Sequence, residues 1–218
     1  MWRISLPSIP IREKTSIFHD LKIGWNEFIS RSWVVAVVLG FTFINLCFEA
    51  TISVLGPLAF NSGGQGPRLW SFNLAAAVAG MIAGGIISLK LYFSRPLLVG
   101  LLALALTPTW ILSMGLSLAL PLVLSTAFIA GMAVEIFGVL WSTALQKTIP
   151  AESYSRVISY EALGSNALAP IGIAVAGPLA EWIGISRTLY AAAALTLVAA
   201  LIPLTLKSVR GLNNQDRR

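Results

Sequence analysis

The chain has 218 residues, of which 56% are hydrophobic and 11% charged, with a mean hydropathy of +0.81; soluble globular domains carry about 25% charged residues. This composition excludes an ordinary soluble domain and implies a polytopic membrane protein. The formal net charge of +6 is dispersed between apolar runs with no basic patch interleaved with aromatics, so it speaks for topology and against a nucleic-acid partner.

The single cysteine, Cys47, lies inside an apolar run and the single histidine, His19, in a polar N-terminal segment. A disulfide framework or a cysteine metal cluster within one chain is thereby excluded. Intramembrane hydrolysis through histidine, or zinc chemistry, lacks its parts. No catalytic residue, metal or cofactor is expected, and the chain is not expected to be an enzyme. Residues 1–31 contain no continuous apolar core of a secretory signal, so a cleaved leader is not expected.

Residues 1–14 combine Pro7 and Pro10 with three basic residues and no periodic pattern, an irregular lead. From Thr15 to Arg31 the apolar residues Ile17, Leu21, Trp25 and Phe28 recur at helical spacing, with Asp20, Lys22, Asn26 and Glu27 between them. This predicts an amphipathic helix that anchors at the membrane surface or against neighbouring helix ends. Six apolar runs follow, at Trp33 to Leu55, Trp70 to Leu91, Leu97 to Leu116, Leu118 to Leu145, Ala162 to Ile183 and Thr188 to Leu206; each is near the roughly 20 residues a spanning helix needs. The expected fold is an all-α membrane protein: a lead and amphipathic helix over 1–31, a bundle of six transmembrane helices over 32–207, and a basic tail over 208–218.

Orientation follows from the distribution of Lys and Arg. One side of the bundle collects thirteen of them and the other only Arg68 and Arg187. Both termini are therefore expected in the cytoplasm of a cell whose plasma (inner) membrane holds the protein. The loops Gly56 to Leu69, Ser117 and Gly184 to Arg187 face outward; those at Lys90 to Pro96 and Gln146 to Ser159 face inward.

Polar residues within the spans carry the functional signal. An ionisable group near mid-bilayer costs about 2.5–3.5 kcal/mol on insertion scales, so it is seldom kept without a partner, a water-filled cavity or a task. On the first span Thr42, Asn45, Glu49 and Ser53 fall on one face. On the fourth, Gly131, Glu135, Gly138 and Ser142 form a comparable stripe, with small residues either side of the carboxylate leaving room for water or a ligand. No basic residue lies deep within any span, which suits proton uptake and release at Glu135 and, after it, Glu49. The alternative for Glu135 is that it caps a polar pocket or pairs with a basic group and carries no flux. The second span spaces Ala76, Gly80 and Gly84 for close helix packing. The fifth, with Pro170, Gly172, Gly177 and Pro178, leaves hinge and packing roles equally open. The third and sixth, interrupted by Pro108 and Pro203, read as support helices.

The order of parts resembles the second half of a major facilitator superfamily transporter, in particular the branch of bacterial efflux proteins that includes enterobactin exporters. The resemblance rests on Asp20 to Phe28 with Arg31 and Trp33; Asn45-Leu46 followed by Gly56-Pro57; Gly84-Gly85 followed by Arg95-Pro96; and Phe137 to Trp141 through Gln146, Ile149-Pro150, Ser155-Arg156-Val157, Tyr160, Gly164-Ser165 and Gly177-Pro178. It covers nearly the whole chain. It implies two inverted three-helix repeats, with the first and fourth helices lining a central cavity. In that setting Glu135, Glu49, Asn45, Trp141 and Phe137 are the expected substrate and proton cavity residues. Arg156, Glu152, Glu161 and Arg95 are the expected cytoplasmic gate, although the Gly85 to Arg95 loop lacks the acidic residue of the superfamily's motif. Since such transporters have about twelve spans in two halves, the expected partners are the lipid bilayer, a small-molecule substrate, and a separate six-helix half or a second copy. The expected function is proton-coupled export of a small amphiphilic molecule such as a drug or siderophore. The alternative is a truncated or partner-dependent subunit that does not transport.

Overall fold

The computed structural model describes residues 17–61, 66–90 and 93–211. The irregular lead over 1–14 and the final residues of the basic tail lie outside the described residues. Those described are helical, and six helices are long and apolar enough to cross a membrane: Ser32–Phe60, Gly66–Lys90, Pro96–Gly115, Leu120–Thr148, Ala151–Ile183 and Ile185–Thr205. A helix α1 over Ile17–Ile29 precedes them.

The connections are shorter than the sequence suggests. The region from Gln146 to Ser159, expected as a polar loop, is a two-residue break at Ile149–Pro150 between two helices. Glu152, Ser155, Arg156 and Ser159 lie on a regular helical turn pattern that carries the fifth span well past its apolar run, so hydropathy alone placed its start about one helical segment late. Similarly, Gly184 by itself joins the fifth and sixth spans at φ 92°, a conformation that other L-residues rarely adopt, and the sixth span begins at once with Ile185.

Four of the spans are irregular at depth. The first widens into a π-helical turn over Thr51–Leu55, where Thr51 donates its hydroxyl to the Cys47 carbonyl at 2.7 Å. The third breaks before Pro108, and Thr107 turns its own hydroxyl back to the Leu104 carbonyl at 2.8 Å. The fifth breaks between Asn166 and Ala169 because Pro170 has no N–H to continue the ladder. The sixth tightens to a 3₁₀ turn at Ile202–Thr205 around Pro203.

Packing follows a reciprocal pattern. The first span lies against the fifth and sixth, the fourth against the second and third, and the third and sixth meet each other. Small residues set the two closest parallel pairs. A Cβ on Gly172 would collide with the Leu46 carbonyl of the first span, and one on Gly131 with the Ala77 carbonyl of the second. Two cores result. The one nearer α1 is built around Val34, Val37, Leu101, Phe137, Leu145 and Val157. The other is built around Leu55, Trp110, Ile111, Val123 and Leu189. Of the apolar windows, only 17% of the second span and 22% of the fifth is buried, against 56% of the third, so those two helices are the least covered.

Candidate functional site

The first and fifth spans are joined by side chain to backbone bonds at the helix break. Where the ladder is interrupted ahead of Pro170, the Gly164 carbonyl keeps only a long bond from the Ala167 N–H, at 3.4 Å, and the first span adds side-chain donors to it and to Ser165. Thr42 supplies its hydroxyl to Gly164 at 2.8 Å, and Asn45 its amide to Ser165 at 2.9 Å. The Asn45 amide also lies 3.4 Å from the Asn166 side-chain oxygen. Asn45 is thus engaged in holding the fifth span, while Glu49 and Ser53, on the same stripe, are exposed on the outer surface of the bundle.

The first and fourth spans are joined by rings. Phe41 stacks on Phe137 with centroids 4.7 Å apart, and Phe137 in turn lies 6.0 Å from Trp141, whose edge meets Trp33 at 5.6 Å. Phe137 and Trp141 are 3% and 7% exposed. The structure therefore places these two expected cavity residues in the packed core and not on an open wall, because four-residue spacing sets them on the inner stripe together with Ala133 and Ala144. The Trp141 indole N–H donates to a Glu161 carboxylate oxygen at 3.3 Å, and the Ser165 hydroxyl donates to the same oxygen at 3.2 Å.

Glu135 lies elsewhere. It is half-buried and faces the second span, its Cβ 3.1 Å from where a Gly84 Cβ would stand and its Oε1 3.9 Å from the same point on Gly85. Among the described residues it makes no hydrogen bond or ion pair. The stripe around it is asymmetric: Gly131 is closed by the second span, whereas nothing stands within 4 Å of a Cβ on Gly138. Of the two small neighbours expected to leave room, Gly138 does so and Gly131 is a packing position.

The four gate candidates lie at the end of the bundle nearer α1. Arg95 is exposed just before the third span, and Glu152 is exposed on the first turn of the fifth. Arg156 packs its Cβ 3.1 Å from where a Gly24 Cβ would be, against α1. Glu161 is held by Trp141 and Ser165 as described. Tyr160, between them, donates its hydroxyl to the Leu21 carbonyl at 2.9 Å and meets the Trp25 ring edge-on at 5.5 Å, so α1 is clamped to the fifth span. At the opposite end a recess of about 230 Å³ between Phe60, Leu69, Met114 and Val123 is lined without a carboxylate.

Sequence reasoning missed Asn73, which is fully buried on the second span and accepts a bond from the Trp110 indole at 3.2 Å. Its spacing of seven residues from Gly80 was the available signal. Among the described residues no group of three or more His, Cys, Asp or Glu is placed to share a metal ion. No family model, curated protein or solved structure matches the chain.

Proposed function

We propose that this chain is one half of a proton-coupled secondary transporter of the major facilitator type, exporting a small amphiphilic molecule across the plasma membrane. The observation that carries this reading is Glu135: a carboxylate within a helix apolar enough to span the bilayer, half-buried, and without a hydrogen-bonding or ionic partner among the described residues. Such a group is costly unless water, a substrate or a proton attends it. Glu49, exposed on the surface of another span, cannot face lipid comfortably and directs that surface toward a water-filled space.

The reciprocal packing supports the architecture. Exchanging spans one, two and three for four, five and six turns the first–fifth contact into the fourth–second contact, and the first–sixth into the fourth–third, as two inverted three-helix repeats require. Alternating access needs a second bundle. The low burial of the second and fifth spans favours their faces as the place where that bundle sits. In this setting α1 rests at the cytoplasmic surface, with Leu21, Trp25 and Ile29 exposed along one edge suited to the lipid interface.

The test is efflux of a fluorescent amphiphile from vesicles bearing a proton gradient, comparing the chain alone, the chain with a candidate first half, and Glu135→Gln in whichever combination is active. Gradient-dependent efflux that is lost in Glu135→Gln at unchanged membrane levels is the expected result. If no combination transports, or the Gln variant matches the parent, the chain is a partner-dependent subunit without flux of its own.

A further inference from the structure

The chain folds back on the third span at the end of the bundle nearer α1. After the sixth span tightens around Pro203, a final helical turn over Lys207–Arg210 packs against the first span and against Pro96–Leu104, the first segment of the third. Val209 fixes it there, since it is 1% exposed and joins the core that also holds Val34, Leu97 and Leu101. A helical turn that buries its one apolar residue sends its other side chains outward. Lys207, Ser208 and Arg210 are accordingly exposed, and so are Ser94 and Arg95 immediately before the third span.

Two stretches distant in sequence thus bring three cations to the same end of the third and sixth spans, and the chain offers nothing to neutralise them. Among the described residues Arg95 and Lys207 make no hydrogen bond or ion pair, and Arg210 reaches only the Thr205 carbonyl, at 3.4 Å. No Asp or Glu occurs on the third span, or on the sixth from Arg187 to Arg210. Glu27 of α1 is taken by Arg31 at 2.7 Å. Gathered without an acid, the three cations repel one another, and an anion that enters among them removes that repulsion.

The surface next to the cations is apolar. Leu102 and Leu106 of the third span and Leu201 and Ile202 of the sixth each leave 40% or more of their surface uncovered. A free phosphate has no use for such a surface, whereas an anion with an apolar body covers it. We infer that the ends of the third and sixth spans nearer α1 form a site for an anionic phospholipid. Arg95, Lys207 and Arg210 hold its phosphate, Ser94 and Ser208 supply hydroxyl donors, and its acyl chains lie along the exposed leucines. The site goes beyond the transporter reading and does not depend on it, because it needs only that the helices cross a bilayer. One headgroup then ties the segment ahead of the third span to the helical turn after the sixth.

The test is native mass spectrometry of the full chain in a neutral detergent, titrated separately with dioleoylphosphatidylglycerol, dioleoylphosphatidylcholine and glycerol 3-phosphate. The parent is expected to retain the anionic lipid about ten-fold better than the zwitterionic one, and not to release it to glycerol 3-phosphate. Arg95→Gln, Lys207→Gln and Arg210→Gln are each expected to weaken that retention about five-fold. Lys22→Gln with Lys90→Gln removes two exposed cations from the same end but outside the site, and should leave the preference in place. A preference for the anionic lipid that survives the three site substitutions together, or that falls as far in the control, overturns the site. Displacement by glycerol 3-phosphate at equal concentration means that the cations bind free phosphate and overturns the lipid as occupant. Retention is read without transport, so failure of the efflux experiment leaves this site standing, and loss of the site leaves the transporter reading standing.

Discussion

The hydroxyl of Thr42 meets the carbonyl oxygen of Gly164 at 2.8 Å across 122 positions of sequence, and one turn further along Asn45 reaches Ser165 at 2.9 Å. Together they supply side-chain donors to two carbonyls in the turn ahead of Pro170, where the helical ladder is interrupted. The break in the fifth span and the polar stripe of the first are therefore two sides of one arrangement: a helix can be interrupted within a membrane only where another element re-satisfies its backbone.

Removing that support has a predictable effect. Thr42→Val and Asn45→Leu should each lower the stability of the detergent-solubilised protein by about 0.6–1.7 kcal/mol, the range of membrane hydrogen bonds in double-mutant cycles. The pair should lose more than either variant alone. Cys47 provides the measurement, because its thiol is 2% exposed and reacts with a fluorogenic maleimide only on unfolding. Unchanged melting in both single variants would show that the break is held by other contacts.

The tie between Trp141 and Glu161 yields a second prediction. Trp141→Phe keeps the stacking on Phe137 and the edge contact with Trp33 but removes the indole N–H. Glu161→Gln keeps an acceptor oxygen for both Trp141 and Ser165. The expected order of melting temperature is parent, then Glu161→Gln, then Trp141→Phe, with Glu161→Leu lowest because it leaves both donors unpaired. A Glu161→Leu variant as stable as the parent would remove the carboxylate from the account of the fourth–fifth contact.

The extent to which the sequence revealed this arrangement depended on the type of interaction. The six spans and the stripe at Thr42, Asn45 and Glu49 are legible because hydropathy and helical spacing are local properties. The extension of the fifth span back to Ala151 was not, because a charged, half-exposed helical turn such as Glu152 to Arg156 carries no apolar signal of its own. Nor could spacing separate Gly131 from Gly138. Both fall on one face of the fourth span, and only the crossing angle of the second span decides that one is closed and the other open. The burial of Phe137 and Trp141 followed the same rule: periodicity assigns residues to a face but does not say which neighbour covers it.

The docking of α1 is open to direct test. A Cβ on Gly24 would lie 3.0 Å from the Tyr160 ring and 3.1 Å from the Arg156 Cβ, the latter one bond from its helix backbone and unable to retreat readily. Gly24→Leu should therefore displace α1, and Tyr160→Phe, which loses only the bond to the Leu21 carbonyl, should loosen it less. Limited proteolysis ahead of Arg31 reads the difference: cleavage fastest in Gly24→Leu, intermediate in Tyr160→Phe and slowest in the parent. Equal rates would show that the clamp does not restrain α1.

The contrast between Gly131 and Gly138 separates packing from open space most sharply. Gly131→Leu would drive a side chain into the Ala77 backbone, and with neither helix able to yield locally the second and fourth spans must separate; overpacking of this kind costs about 1–3 kcal/mol, and more where backbone is the obstacle. Gly138→Ala meets nothing, and removing a helical glycine stabilises soluble helices by up to about 1 kcal/mol. Thermal unfolding followed through Cys47 should thus fall in Gly131→Leu and hold or rise in Gly138→Ala. Since both glycines occupy one face of one helix, a uniform response to the two substitutions would contradict the divergence of the spans at Glu135.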